Sequence, residues 1–127
     1  MLDVEVIGDG GPDAPPAPEV ERLVALALAS AGVDDGHVAV EFVGAERIAA
    51  LNAEHRGKSG PTDVLSFPID EADAAFGPRE LGDIVICPPH TEDVREAIVH
   101  GALHLTGMDH ETDDGEMLAL QAELLRW

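Results

Sequence analysis

The 127-residue chain carries 26 Asp and Glu residues against seven Lys and Arg residues, which gives a formal net charge of −19 at pH 7. This imbalance excludes a generally basic surface, because attraction to nucleic-acid phosphates needs clustered positive charge. The length suits one domain over residues 1–127, and its core should be mainly aliphatic because the chain has only three Phe, one Trp and no Tyr.

Hydrophobic alternation and 3.6-residue periodicity predict strands and helices along the chain. In chain order these are a strand over Leu2 to Ile7, a helix over Glu19 to Ala31, a strand over His37 to Val43, a helix from Ala45 to about Glu54, strands over Asp63 to Ile69 and Leu81 to Cys87, a helix from about Thr91, and a last helix after a cap at Asp113 or Asp114. Pro68 predicts an edge or a break. The order favours an α/β fold in which a small mixed β-sheet packs against helices.

Three histidines lie in the segment HGALHLTGMDH, residues 100–110. His100 and His104 are four residues apart and would share one helix face. A continued helix would carry His110 roughly 15 Å from His100, so the chain must turn, and Gly107 suits that turn. Three histidines with an open fourth position are typical of a catalytic zinc site. We therefore predict one Zn²⁺ per chain, on a HxxxH helix followed by a turn.

The alternative is that this histidine spacing arises by chance. The helix has an apolar stripe at 3.6-residue spacing, formed by Val94, Ile98, Gly101, Ala102 and Leu105. His100 and His104 point away from that stripe, which argues against core histidines. Cys87, the only cysteine, follows an apolar run and should pack as a small hydrophobe. The last helix should bear an apolar face of Met117, Leu118, Leu124 and Leu125.

A zincin protease has a glutamate directly after the first histidine as its general base, and here that position is Gly101. The spacing from His104 through Gly107 to His110 is nevertheless similar to that of metzincins. A base must therefore come from elsewhere. The candidates are Asp63, Asp83, Asp109 and Glu111, each of which also suits a cap or surface role. Asp83 lies in an apolar strand, where a buried carboxylate needs a partner, such as the second nitrogen of a ligand histidine.

Four segments together resemble the YbeY-type endoribonucleases, the metal-dependent rRNA maturation factors. They are LNAEHRGK at residues 51–58, PTDVLSFP at 61–68, LGDIVI at 81–86 and the histidine segment at 100–110. The resemblance implies that His100, His104 and His110 bind zinc and that Arg56 is a catalytic residue in the substrate cleft. It also implies a single-strand-specific endoribonuclease acting on the 3′ end of 16S rRNA and in ribosome quality control. Its partners would be the small ribosomal subunit and a ribosomal protein.

Arg56 alone would be interpreted as a solvated surface residue, although a guanidinium in a loop can bind a phosphate through two hydrogen bonds. Lys58 is a weaker candidate for a phosphate contact. With Arg47 these residues form the one local cluster of positive charge. Two departures from the family are the strong acidity and a shortened segment over Pro88 to Val99. Both departures are expected to affect the choice of substrate more than the binding of the metal.

Two other functions remain open on these residues. One is a small metalloprotease-like hydrolase, favoured by the HxxGxxH spacing. The other is a zinc-stabilised ribosome-assembly module with little hydrolytic activity, favoured by the lack of an evident general base. No run of about 18 apolar residues and no signal-peptide pattern is present, and a lone cysteine agrees with a reducing compartment. We therefore expect a cytoplasmic protein without a membrane segment.

Overall fold

A computed structural model describes residues 2–8, 14–33, 35–68, 80–106 and 115–126. Within these ranges each predicted strand and helix is present, with ends that differ by a few residues. In chain order the elements are β1 (Leu2–Ile7), α1 (Ala17–Ser30), β2 (Gly36–Phe42), α2 (Ala45–Arg56), β3 (Val64–Pro68), β4 (Glu80–Ile86), a 3₁₀ turn (Pro88–His90), α3 (Val94–Leu105) and α4 (Glu116–Leu124).

The strands form one mixed sheet in the order β1-β2-β4-β3. β2 pairs in parallel with both β1 and β4, whereas β3 runs antiparallel to β4. β3 is therefore an edge strand, and its last residue is Pro68, which lacks the N–H that a further ladder bond would need. The prediction of a small mixed sheet is confirmed, and of the two alternatives predicted for Pro68, an edge or a break, the structure shows the edge.

Helices cover both faces of the sheet. Alternate strand residues such as Val40, Ile84 and Ile86 form the larger core with buried residues of α1, α3 and α4. On the opposite face, α2 forms a smaller core whose buried members are Ile48, Leu51, Leu65, Val85 and Cys87. Cys87 is fully buried among these apolar residues, as predicted. α2 and α3 thus lie on opposite faces of the sheet.

The starts of the last two helices differ from the sequence prediction. α3 begins at Val94 rather than near Thr91, because the Asp93 carboxylate caps it and accepts hydrogen bonds from the Arg95 and Glu96 amides at 3.0 and 3.3 Å. The N-cap of α4 is Gly115, with a φ of 100° and no side-chain cap, and not Asp113 or Asp114. Those two residues lie outside the described ranges.

The apolar face of α4 was predicted only in part. Met117 and Leu124 are buried, and Leu125 is half-buried, as expected. Leu118 was assigned to the same face, which is wrong, because its side chain is 47% exposed. The position facing the interior between Met117 and Leu124 is Gln121, which is only 6% exposed.

α3 lies unusually close to the sheet at Gly101. A Cβ atom there would lie 2.6 Å from Ile84 Cγ2 and 3.1 Å from Ser66 Oγ. The Ser66 hydroxyl also donates a hydrogen bond of 3.0 Å to the Gly101 carbonyl. Glycine is required here because the helix backbone approaches β3 and β4 too closely for any side chain.

Gly101→Ala is expected to lower the free energy of unfolding by about 1 to 2 kcal/mol, because overpacking against a fully buried Ile84 outweighs the helix propensity gained by alanine. Urea unfolding measures this difference. Ala53→Gly, at an exposed position in α2, is the control that isolates helix propensity. A Gly101→Ala protein more stable than the wild type would contradict the close packing.

None of the helices in the described part of the chain is long and apolar enough to cross a membrane.

Candidate functional site

His100 and His104 lie on one side of α3, away from the sheet, and their rings converge. Their Nε2 atoms are 3.1 Å apart, and the ring centroids are 4.7 Å apart with an interplanar angle of 75°. Both residues are half-buried, whereas Val94, Ile98, Gly101 and Ala102 of the predicted stripe are buried. The predicted orientation of the pair is confirmed, with Leu105 only half-buried at the end of the stripe.

The other nitrogen of His100 is held by α4. Its Nδ1 lies 2.8 Å from Oε1 of Gln121. Because an amide oxygen can only accept a hydrogen bond, Nδ1 carries the proton in a neutral ring and the lone pair is left on Nε2. In that tautomer the Nε2 lone pair of His100 faces Nε2 of His104 and can accept a hydrogen bond from it.

This geometry fits a shared metal ion. Zn–N bonds of about 2.0–2.1 Å in a tetrahedral site place two ligand nitrogens about 3.3 Å apart. The Nε2 separation of 3.1 Å in this pair is close to that value. The fit concerns two of the three predicted ligands, since His110 lies outside the described ranges. Within those ranges no cluster of three or more His, Cys, Asp or Glu residues could hold a metal ion.

A cavity of about 620 Å³ lies beside His100, at the start of edge strand β3. His100 and Gln121 line it on one side, and the exposed Leu118 contributes an apolar surface. The rest of the lining is mainly acidic and comes from the start of β3 and the turn into α3; it includes Asp63, Thr91, Glu92, Asp93 and Glu96. The cavity is large enough for part of a nucleotide, and its acidic rim disfavours a phosphate that lacks a cation.

The structure describes two of the four candidate bases, Asp63 and Asp83. Asp63 shares the cavity with His100, and its Oδ1 accepts hydrogen bonds from the Val64 amide at 2.8 Å and the Thr62 hydroxyl at 3.3 Å. Its backbone oxygen also accepts from the Cys87 amide at 2.9 Å, which joins the loop before β3 to the end of β4. Asp109 and Glu111 lie outside the described ranges.

Asp83 is not a partner of His100 or His104. It pairs in register with Phe67 and lies two residues from Val85, which packs under α2. Side chains two apart along a strand share a face, so Asp83 points to the side opposite α3. It is also exposed rather than buried. The suggestion that Asp83 orients a ligand histidine is therefore wrong for His100 and His104, the two predicted ligands that the structure describes.

Arg56 and Lys58 are held on a well-defined turn. α2 ends at Arg56, and Gly57 follows it in the left-handed conformation with a φ of 66°. The buried Asn52 fixes this turn through two hydrogen bonds. Its backbone carbonyl accepts one from the Lys58 amide at 3.4 Å, and its side-chain Nδ2 donates one to the Gly60 carbonyl at 3.0 Å. The rest of this loop then leads to Asp63 at the cavity.

The cationic side chains themselves are exposed, as is that of Arg47. None of the three makes an ion pair with a described residue, so their charges are available to a polyanion. His55 packs edge-on against Phe67, with ring centroids 4.8 Å apart, and so anchors the end of α2 to the sheet. An exposed guanidinium at Arg56 is compatible with the predicted phosphate contact.

Sequence reasoning missed two residues of this region. Gln121 stands between Met117 and Leu124 on the apolar side of α4, and a polar residue in an apolar stripe was the available signal. Asn52 stands beside Leu51 near the end of α2 and is buried. Its Oδ1 is buried without a hydrogen-bond partner among the described residues. No pattern in the sequence distinguishes this asparagine from a surface one.

The fold and the site first define a class: a mixed α/β protein whose histidine-bearing helix borders a cavity at the edge of the sheet. The family model described as Endoribonuclease YbeY matches residues 17–127. The chain therefore belongs to the YbeY endoribonuclease family, a family of hydrolases, as its sequence segments indicate.

Individual relatives agree with this assignment. An Endoribonuclease YbeY of Macrococcus caseolyticus is 38% identical over 145 residues, covering 98% of this chain and 94% of that protein. One from Geobacillus kaustophilus is 42% identical over 128 residues, covering 84% and 82%. The solution structure of TM1509 from Thermotoga maritima matches with a TM-score of 0.54 and 29% identity, covering 96% of this chain and 86% of that chain.

The alignment with the Macrococcus protein is longer than the 127 residues of this chain. That relative therefore has insertions where this chain has none, which agrees with a shortened sequence. Between β4 and α3 this chain has only a 3₁₀ turn and the Asp93 cap. This short connection is where the sequence predicts the missing residues.

Proposed function

We propose that this protein is a zinc-dependent, single-strand-specific endoribonuclease that acts in maturation of the 16S rRNA 3′ end and in ribosome quality control. Zinc dependence is supported by one observation, the approach of the His100 and His104 Nε2 atoms to 3.1 Å, with His100 Nδ1 hydrogen-bonded to Gln121. Family membership supports RNA hydrolysis. The cytoplasm, where rRNA is processed, is the compartment that this function requires.

His100, His104 and His110 would hold one zinc ion per chain. When bound, such an ion supplies a Lewis acid for the scissile phosphate and lowers the pKa of a bound water to about 7. Arg56 binds the phosphate through its planar guanidinium and offsets the charge that builds during the reaction. Lys58 adds a second positive charge on the same turn.

Asp63 is the general base that we assign from the described residues. Of the two sequence-predicted carboxylates that the structure describes, Asp63 and Asp83, only Asp63 shares the cavity with His100. Its Oδ1 is occupied by the Val64 amide and the Thr62 hydroxyl, while Oδ2 accepts no hydrogen bond from the described residues. Oδ2 can therefore take a proton from an attacking water.

The protease alternative is disfavoured by Gly101. A side chain at this position would point toward Ile84 and Ser66 in the sheet, not toward the cavity. A glutamate base of the zincin kind therefore has no room at this position. The assembly-module alternative is separated from the endoribonuclease by measurement of turnover.

The direct test combines metal analysis with substrate assays. Protein purified without added metal is expected to contain about one zinc per chain and to cleave single-stranded RNA but not casein, and a chelator should abolish cleavage. Zinc without RNA cleavage, on oligonucleotides or on small ribosomal subunits, would favour the assembly module. Casein hydrolysis would favour the protease. Cleavage that persists in a zinc-free protein would contradict the metal assignment.

Binding of free RNA is expected to be weak and only shallowly dependent on salt. Arg47, Arg56 and Lys58 are the cations that we expect to face the RNA, against a net charge of −19. Neutralising three phosphates of a single strand gives a log–log salt slope of about −2. A ribosomal protein or the small subunit would supply the remaining contacts, so cleavage should be clearly faster on subunits than on oligonucleotides. A steep slope with tight binding to a free strand would contradict this prediction.

A further inference from the structure

We propose that Gln121 is a positioning residue that sets the affinity of the His100–His104 pair for zinc. The inference rests on the proposed function and adds a role for a residue that the histidine pattern does not contain. Gln121 reaches His100 from a different helix, with Oε1 2.8 Å from Nδ1. It therefore selects both the proton position and the plane of the His100 ring.

The core of the protein holds Gln121 in place. Met117 precedes it by one helical turn and is fully buried, and Leu124 follows it by three residues and is 7% exposed. Both belong to the larger core, which also contains Ile98 and Leu103 of α3. Because α4 is anchored on both sides of Gln121, the amide is presented to His100 at little further loss of side-chain freedom.

An amide and a carboxylate would tune the histidine differently. A carboxylate accepts a stronger hydrogen bond from Nδ1–H and makes the opposite nitrogen a better metal ligand. Gln121 gives the same hydrogen bond without adding charge to a cavity that already contains Asp63, Glu92 and Glu96. We therefore expect a protein with Glu at position 121 to bind zinc at least as tightly as the wild type with Gln. Both should bind zinc more tightly than a protein with Leu at this position.

The test measures zinc affinity by competition with a chromogenic chelator at pH 8, where free imidazole is neutral. Gln121→Leu is expected to bind zinc about 10- to 100-fold more weakly than the wild type. Gln121→Glu should bind at least as tightly as the wild type. Glu123→Gln, at an exposed position on the same helix, is the control and should leave affinity unchanged. Thermal unfolding of each metal-free variant verifies that it is folded.

Nitrogen NMR of the metal-free wild-type protein measures the tautomer of the His100 ring without any substitution. His100 is expected to be in the Nδ1–H tautomer, and a Nε2–H tautomer would overturn the proposal. Equal zinc affinity of the wild type and Gln121→Leu would overturn it too, as would a Gln121→Glu protein as weak as Gln121→Leu. A wild-type protein that binds no zinc at all would instead contradict the proposed function itself.

Discussion

His104→Ala is expected to lose zinc binding and, with it, RNA cleavage. His104 provides one of the two nitrogens that converge at 3.1 Å, so its removal leaves a ligand set too small to retain the ion. The loss should exceed the 10- to 100-fold effect typical of a supporting residue around a metal. Zinc affinity should therefore fall by at least about 100-fold and cleavage should reach background.

The experiment compares zinc content and single-stranded RNA cleavage of the wild type, His104→Ala and His90→Ala. His90 is the matched control because it is an exposed histidine in the 3₁₀ turn and does not line the cavity. It should retain both properties. Equal zinc in His104→Ala and the wild type would show that the ion is bound elsewhere, and the histidine assignment would fall.

The His100–His104 pair could be predicted from sequence because its geometry is local. Residues four apart on a helix share a face, and the apolar residues of the same helix at 3.6-residue spacing define the opposite face. Pro68 likewise predicts an edge or a break in the sheet from sequence alone, since the missing N–H is a property of that one residue. Features that a single helix or strand determines by itself can therefore be predicted from the sequence.

Asp83 and Gln121 depend instead on how elements pack. The sequence shows that Asp83 lies in an apolar strand, but only the register with Phe67 shows that it faces away from α3. The contact between Gln121 and His100 joins residues 21 positions apart in two helices. Its polarity within an apolar stripe indicates a buried partner but does not identify that partner. Leu118 was misassigned for a related reason, because α4 turns this residue toward the cavity.

Arg56→Ala is expected to slow RNA cleavage by about 10²- to 10³-fold while leaving zinc content and folding unchanged. That magnitude is typical for the loss of one donor that stabilises developing negative charge. The side chain is exposed at the end of α2, and the turn that follows is fixed by Asn52 and Gly57 rather than by the guanidinium. Removing the side chain should therefore leave the turn intact.

Arg56→Lys tests the chemistry of this contact, because an ammonium keeps the charge but lacks the planar pair of donors. It should recover only part of the lost rate. Arg126→Ala removes an exposed arginine beyond α4 and is the control for a general change in charge. Single-turnover cleavage with saturating enzyme separates a slower chemical step from weaker binding. Full activity of Arg56→Ala would exclude Arg56 from the reaction. Nothing in the described fold connects this side chain to the histidine pair, so loss of zinc in that variant would indicate a structural role instead.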